Sequence, residues 1–294
     1  MTKTKVTLTG TGVPLPSPGR AGAGCLVRYG DLALQFDAGR GTVLRLVEAM
    51  QPPASVTALF LTHSHIDHVS DVADLAMTRW IFQPFAPAPS LPIIAPNGST
   101  ADFVARMFDP YDADIAARST EVLSGRPTID LRPFAPTTAP AEIWRSDDGQ
   151  VIVEAVRVQH EPCDDAVAYR ITTPDATVVV SGDTRVCDEV ESLIADADVV
   201  VHEACRSDVL REAFADAGYD RVLEYHADVV ELGAMARRAR VRHLVLTHLI
   251  PPPLTSDDEA GFAHDVRRGG YEGELTVGTD LTTISAGIAA ATST

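Results

Sequence analysis

The chain has 294 residues, 45% hydrophobic and 22% charged, a composition ordinary for a soluble globular protein and long enough to bury a substantial core as one large domain or two modest ones. Its 24 Lys and Arg face 41 Asp and Glu, so the net charge is −17; with no basic run, the chain disfavours a long polyanion held by phosphate contacts. An apolar span of about 18 residues is lacking, the first residues do not have a signal-peptide layout, and Cys25, Cys163, Cys187 and Cys205 have neither C-x-x-C spacing nor disulfide density, so a cytoplasmic location is expected.

In chain order, Thr4 to Gly10 alternates β-branched and polar residues and reads as a strand entering the turn Gly10-Thr11-Gly12. Leu26 to Tyr29 and Leu32 to Phe36 form a hairpin hinged on Gly30-Asp31, and Thr42 to Met50 a short amphipathic helix. The apolar run Ala58-Leu59-Phe60-Leu61 reads as a buried strand, and Val69 to Phe82 as a helix. Residues 84 to 97 carry Pro84, Pro87, Pro89, Pro92 and Pro96 and are expected to be ordered loop. A helix follows over Ala101 to Phe108, and a proline-rich link over Pro133 to Pro140. The second half restarts with strands at Val151 to Val158, Val167 to Ile171 and Thr177 to Ser181, then a helix near Val186 to Ala195 and a strand at Val199 to Val201. Helices at 206 to 217 and 227 to 239 precede a strand at Leu244 to Leu246. Two β-rich halves with helices outside predict a four-layered αβ/βα sandwich, one domain over 1–294 built of two similar αβ units.

Thr62-His63-Ser64-His65-Ile66-Asp67-His68 is the most informative stretch. Three imidazoles and a carboxylate follow directly on a strand, where α/β folds present loops to ligands. Such N and O donors suit zinc or a similar first-row ion. The alternative is a solvated polar loop or buried histidines satisfied by hydrogen bonds. Three more candidates, His160, Asp183 and His248, each follow a predicted strand.

With these residues in order, the chain resembles the metallo-β-lactamase-fold hydrolases. The resemblance runs from Leu8-Thr9-Gly10-Thr11-Gly12 through Phe36-Asp37-Ala38-Gly39 to Thr247-His248. It implies that His63, His65 and His160 bind one metal, Asp67, His68 and His248 a second, and that Asp183 bridges them. It also implies two divalent ions, Zn2+ foremost with Mn or Fe possible, and a metal-bridging hydroxide as nucleophile. A bridging carboxylate between two cations resists protonation, so Asp183 is expected to stay ionised.

Gly182-Asp183-Thr184-Arg185, Ala197-Asp198, His202-Glu203-Ala204 and Tyr225-His226-Ala227-Asp228 are similar to the branch with tRNA 3′-processing endonucleases, cyclic-nucleotide phosphodiesterases and metal-dependent arylsulfatases. That similarity implies a Glu203–His226 pair, the imidazole assisting the leaving oxygen. Asp67, His226 and Glu203 are thus the catalytic candidates. His202 is expected to be structural, His243 and His264 to lie on the surface, and Asp37 to form a turn or to orient a metal-bound imidazole. Arg79 and Trp80 line a pocket, or else are solvated and packed respectively.

The endonucleases of that branch commonly insert a long arm before the bridging aspartate, whereas only 22 residues, 161 to 182, separate His160 from Asp183 here. Together with the acidic charge, this favours a phosphodiesterase or arylsulfatase-like hydrolase of small phosphoric or sulfuric esters, with nucleic acid unlikely as partner and a homodimer possible. A lactone or carboxylic-ester hydrolase is the first alternative, a tRNA 3′-processing endonuclease lacking the usual arm the second.

Overall fold

Alternation within each strand decides the layers. In β2 (Gly24–Tyr29), Cys25 and Val27 join one apolar cluster while Leu26 joins another. The same division separates Val178 and Val180 from Val179 in β10 (Thr177–Val180), and Val199 and Val201 from Val200 in β11 (Val199–Cys205). Successive side chains of a strand leave on opposite faces, so each sheet here is apolar on both and needs a cover on each side.

The computed structural model describes residues 2–85, 87–121, 123, 125–213 and 223–287. Sheet one holds β1 (Lys5–Gly10), β2, β3 (Leu32–Phe36), β4 (Ala58–Phe60), β5 (Leu91–Pro96), β6 (Ile129–Phe134) and β14 (Thr283–Ser285), in the order β14-β1-β2-β3-β4-β5-β6. Sheet two holds β7 (Ala141–Arg145), β8 (Ile152–Arg157), β9 (Val167–Thr172), β10, β11, β12 (His243–Ile250) and β13 (Glu274–Val277), in the order β13-β12-β11-β10-β9-β8-β7. Each sheet makes three antiparallel pairings and then three parallel ones. The central core lies between the sheets, around Phe36, Phe60 and Tyr169, with the Phe36 and Phe60 rings stacked 4.9 Å apart.

Helices cover the outer faces. Thr42–Glu48 (α1), Ile66–Val69 (α2), Val72–Ile81 (α3) and Ser99–Arg106 (α4) pack on sheet one through Leu46, Val69, Leu75 and Val104. Asp112–Glu121 (α5) contributes Ile115 to a small cluster with Met77 and Trp80. Asp188–Ile194 (α6), Val229–Arg238 (α8) and Ser256–Arg268 (α9) pack on sheet two through Leu193, Leu232 and Phe262, while Ser207–Ala213 (α7) sends Leu210 into a satellite cluster with Cys205. This is the αβ/βα sandwich. Among the described residues no helix is long and apolar enough to cross a membrane.

Four expectations are corrected. The proline-rich 84 to 97 segment is not all loop, because Leu91–Pro96 is the inner strand β5. Ile94 O accepts from Leu61 N on the β4 side and Asn97 N donates to Phe134 O on the β6 side, so residues 92, 94 and 96 face β4. That strand has only three residues, and the two missing proline N–H groups fall where it offers few partners. The link expected from Pro133 begins two residues later, since Phe134 ends the edge strand β6. His243 is buried, 2.8 Å from Thr276 Oγ1, because it opens the inner strand β12, whereas His264 is exposed as expected. Arg79 neither lines a pocket nor reaches solvent: its Nη1 donates to the carbonyls of Pro53, Ala54 and Val56. The last residues of the helix expected at 206 to 217, 214–217, lie outside the described residues.

Phe60 carries the packing between the layers. Phe60→Ala is expected to cost about 3–5 kcal/mol, read from urea unfolding of the metal-free protein; a cost below 1 kcal/mol would contradict this placement of the core.

Candidate active site

The seven candidate metal-binding side chains lie just past strand ends, in the short helix α2 or at a strand bulge. His63 follows β4, and His65 precedes α2, whose single turn puts Asp67 and His68 on adjacent positions. His160 follows β8 and Asp183 follows β10. His248 is inside β12, not beyond it as its sequence context suggested. Between the pairs Glu203↔Thr247 and Ala204↔Leu249 the register shifts, and His248 is the extra residue, with φ at +44°. This bulge re-aims its ring out of the ladder.

Two donor sets result. His63, His65, His160 and Asp183 form one, and Asp67, His68 and His248 the other, each with ligand atoms within 4.8 Å of one another. Asp183 faces both: Oδ2 lies 3.8 Å from His160 Nε2, 3.9 Å from His63 Nε2 and 3.3 Å from His248 Nε2, and Oδ1 lies 3.2 Å from His68 Nε2.

The outward nitrogens of three of the rings are held by protein oxygens. His68 Nδ1 is 2.8 Å from Asp37 Oδ2, His63 Nδ1 is 3.0 Å from Thr62 Oγ1, and His160 Nδ1 is 3.1 Å from the Tyr225 carbonyl. Such contacts fix the tautomer and aim Nε2 inward. Asp37 also accepts from Thr62 N and Oγ1, both at 2.8 Å, so it orients the histidine loop as well as one ring. The supporting roles of Thr62 and Tyr225 escaped the sequence reading because a hydroxyl contact and a main-chain carbonyl leave no motif.

Four of the inner atoms are unsatisfied, whereas His160 Nε2 lies 3.1 Å from His65 Nδ1 and His248 Nε2 3.0 Å from Asp67 Oδ2. His63 Nε2, His68 Nε2, Asp67 Oδ1 and Asp183 Oδ1 are buried without a hydrogen-bond partner. Orphaned polar atoms are costly in a protein interior, and these are the donor types that divalent first-row cations take. The residues therefore fit two such ions. Burial, with the neighbouring imidazoles, lowers the imidazole pKa of His63 and His65 and favours their neutral form. Burial opposes the Asp183 charge, but the imidazoles of His248 and His68 outweigh it and hold the carboxyl well below the usual range.

Glu203 and His226 meet beside this centre. His226 Nδ1 lies 3.0 and 2.9 Å from the two Glu203 oxygens, and Thr184 N donates to Glu203 Oε1 at 2.6 Å. Cys205 N donates to Ala227 O, and Asp228 caps α8, so the segment around His226 is pinned to β11. The His226 ring lies 5.6 Å from that of His248, nearly parallel to it. His202, one residue from Glu203, is buried with Nδ1 2.7 Å from the Glu203 carbonyl.

A family profile described as "Beta-lactamase superfamily domain" matches residues 34–249. The chain belongs to this superfamily. Its relatives include proteins named Ribonuclease Z: one from Mycobacterium bovis is 34% identical over 89% of this chain and 91% of its own, and one from Mycobacterium sp. strain KMS 38% identical over 79% of each. Among solved structures, the metallo-beta-lactamase fold protein YhfI of Bacillus subtilis aligns with a TM-score of 0.72 at 21% identity, covering 96% of this chain and 99% of its own. The short form of human tRNase Z aligns with 0.70 at 22%, covering 97% and 100%. The protein is a metal-dependent hydrolase acting on ester bonds, as superfamily membership and these relatives establish.

The relatives named Ribonuclease Z overturn the small-ester reading, its arylsulfatase-like detail included, and with it the expectation that nucleic acid is unlikely. Two arguments misled. Net charge is a sum over the whole surface, whereas a polyanion is recognised locally, so a total of −17 does not decide what one face of the molecule takes. The short His160 to Asp183 spacing also carries no weight, since the relatives with that name are matched over as much as 91% of their own length.

Glu203 lifts the His226 imidazole to about 9 even though burial acts against it. In the metal-free protein the His226 proton is therefore expected to be retained at pH 7 and lost only as pH rises through about 9. Stability from the pair is full below the ordinary imidazole value, about 6.5, declines as pH rises from there to about 9, and is gone above that. NMR titration reads this directly, and Glu203→Gln should bring the midpoint down by more than a unit. An unchanged midpoint would show that the carboxylate does not set it.

Proposed function

We propose that the protein is a dinuclear, zinc-dependent endonuclease that processes tRNA 3′ ends. The observation that carries this reading is the set of relatives named Ribonuclease Z at 34–38% identity over most of the chain. The site supports the chemistry that such cleavage needs.

His63, His65 and His160 would hold one ion, Asp67, His68 and His248 the other, with Asp183 shared between them. Zinc suits this mixed imidazole and carboxylate set. When bound, two such cations supply Lewis acidity toward a phosphate and a nucleophile available at neutral pH. Asp67 accepts the proton that the attacking water gives up. The new P–O bond forms as the bond to the departing ribose oxygen breaks, and His226 delivers its proton to that oxygen. Glu203 holds Nδ1, so the proton that leaves is the one on Nε2, and it stabilises the imidazolium before transfer. A general acid of this kind contributes roughly 10²–10⁴-fold.

Zinc-loaded protein is expected to cut a precursor tRNA at one position near the 3′ end, to lose the activity in a chelator and to regain it with zinc. His226→Ala should lower kcat by about 10²–10⁴-fold with KM and metal content unchanged. Cleavage of bis-p-nitrophenyl phosphate with precursor tRNA left intact would overturn the proposal.

A further inference from the structure

His160 comes from sheet two, whereas His63 and His65 follow a strand of sheet one, so the three imidazoles meet only if the two layers keep register across the site. One fastening between them at this point is Asp165. It lies in the connection between β8 and β9, five residues past His160, and is 8% exposed. Its carboxylate crosses to the N-terminus of α4 on the other layer. Oδ2 accepts from Thr100 N at 2.9 Å, Thr100 Oγ1 at 2.9 Å and Ser99 Oγ at 3.1 Å. Ser99 Oγ in turn lies 2.8 Å from Ser64 Oγ, and Ser64 is the residue between His63 and His65.

The loop that carries His160 is closed on itself. Cys163 N donates to His160 O at 2.8 Å and Ala166 N to Cys163 O at 3.3 Å, so a shift at Asp165 passes to His160. A second tie, Val167 N to Thr62 O at 3.1 Å, joins the same two loops from the other side. At the contact, Gly98 has φ at +119°, and a Cβ there would stand 3.0 Å from Asp165 Oδ2. Glycine thus serves both the backbone and the close approach.

From this geometry we infer that Asp165 is a positioning residue: it docks the His160 loop on α4 and, through Ser99 and Ser64, sets His160 against His65 for a shared divalent cation. The inference rests on the proposed reading of His63, His65 and His160 as ligands of one ion. An acidic side chain at a helix N-terminus is favourable in itself, but a cap alone would stabilise the fold and leave metal affinity untouched. Partners that orient metal ligands typically change affinity by about 10–100-fold.

The test titrates metal-free wild type, Asp165→Ala, Asp165→Asn, Ser99→Ala and His160→Ala with zinc against a chromophoric chelator, and follows thermal unfolding of each without metal. Wild type should take up two ions and His160→Ala one. Asp165→Ala should hold one ion about 10–100-fold more weakly and the other as before, and Asp165→Asn, also a good cap, should recover most of the loss. Ser99 is exposed; its alanine variant should unfold like wild type and weaken the same ion, and it decides the matter if Asp165→Ala does not fold. Wild-type affinity in both the Asp165→Ala and Ser99→Ala proteins, with one ion lost in His160→Ala, would overturn the positioning role and leave the metal reading standing. Equal weakening of both ions with a lower unfolding temperature would mark Asp165 as a fold residue only. A wild type that takes up no zinc would remove the metal reading itself.

Discussion

Asp183 is buried among imidazoles that surround it without satisfying it, and the architecture of the site follows from that fact. A carboxylate 3% exposed, with one oxygen unpartnered, is an expensive thing for a fold to keep. So are the Nε2 atoms of His63 and His68 that face it without a partner. The interior tolerates this arrangement only if something positively charged belongs there. Divalent cations would supply both the charge and the coordination that these groups lack.

The two sheets explain how such a cluster can be assembled. The loops that carry the proposed ligands leave the ends of β4, β8 and β10, and β12 adds a bulge. Parallel strands present their carboxyl ends on one side, the usual place for ligands in α/β sheets. Donors far apart in the chain therefore converge because the strands that carry them do. Rigidity comes from the layers beneath. Tyr169 of sheet two donates to Leu61 O at 2.5 Å, one residue before Thr62 and two before His63, so the inter-sheet core and the histidine loop are directly bonded. Asp37, Tyr225, Asp165 and Ser99 then hold the ligand-bearing segments from outside.

Much of this was legible in the residues. The His63 to His68 stretch is dense enough to stand out, and His160, Asp183 and His248 could be placed because each sits beside a β-branched or apolar run. The Glu203–His226 pair was readable through resemblance alone. What escaped has physical reasons. β5 was hidden because its prolines look like loop until the short neighbour β4 is known, and β6, β7, β13 and β14 are edge or near-edge strands with half-buried, unpatterned sequences. The bulge at His248 depends on the partner strand β11, which no local window contains. Asp165 sits next to Asp164 in a short acidic pair, and nothing local tells the buried carboxylate from the solvated one. Substrate class was misjudged because a sum of charges over 294 residues says little about one cleft.

The claim that supports the rest is that seven side chains enclose two cations. Anomalous diffraction at the zinc edge, from crystals grown with zinc, tests it without reference to activity. Two peaks on either side of the Asp183 carboxylate, one among His63, His65 and His160 and one among Asp67, His68 and His248, are the expected result. Zinc found elsewhere on the molecule, with these side chains turned away from one another, would contradict it.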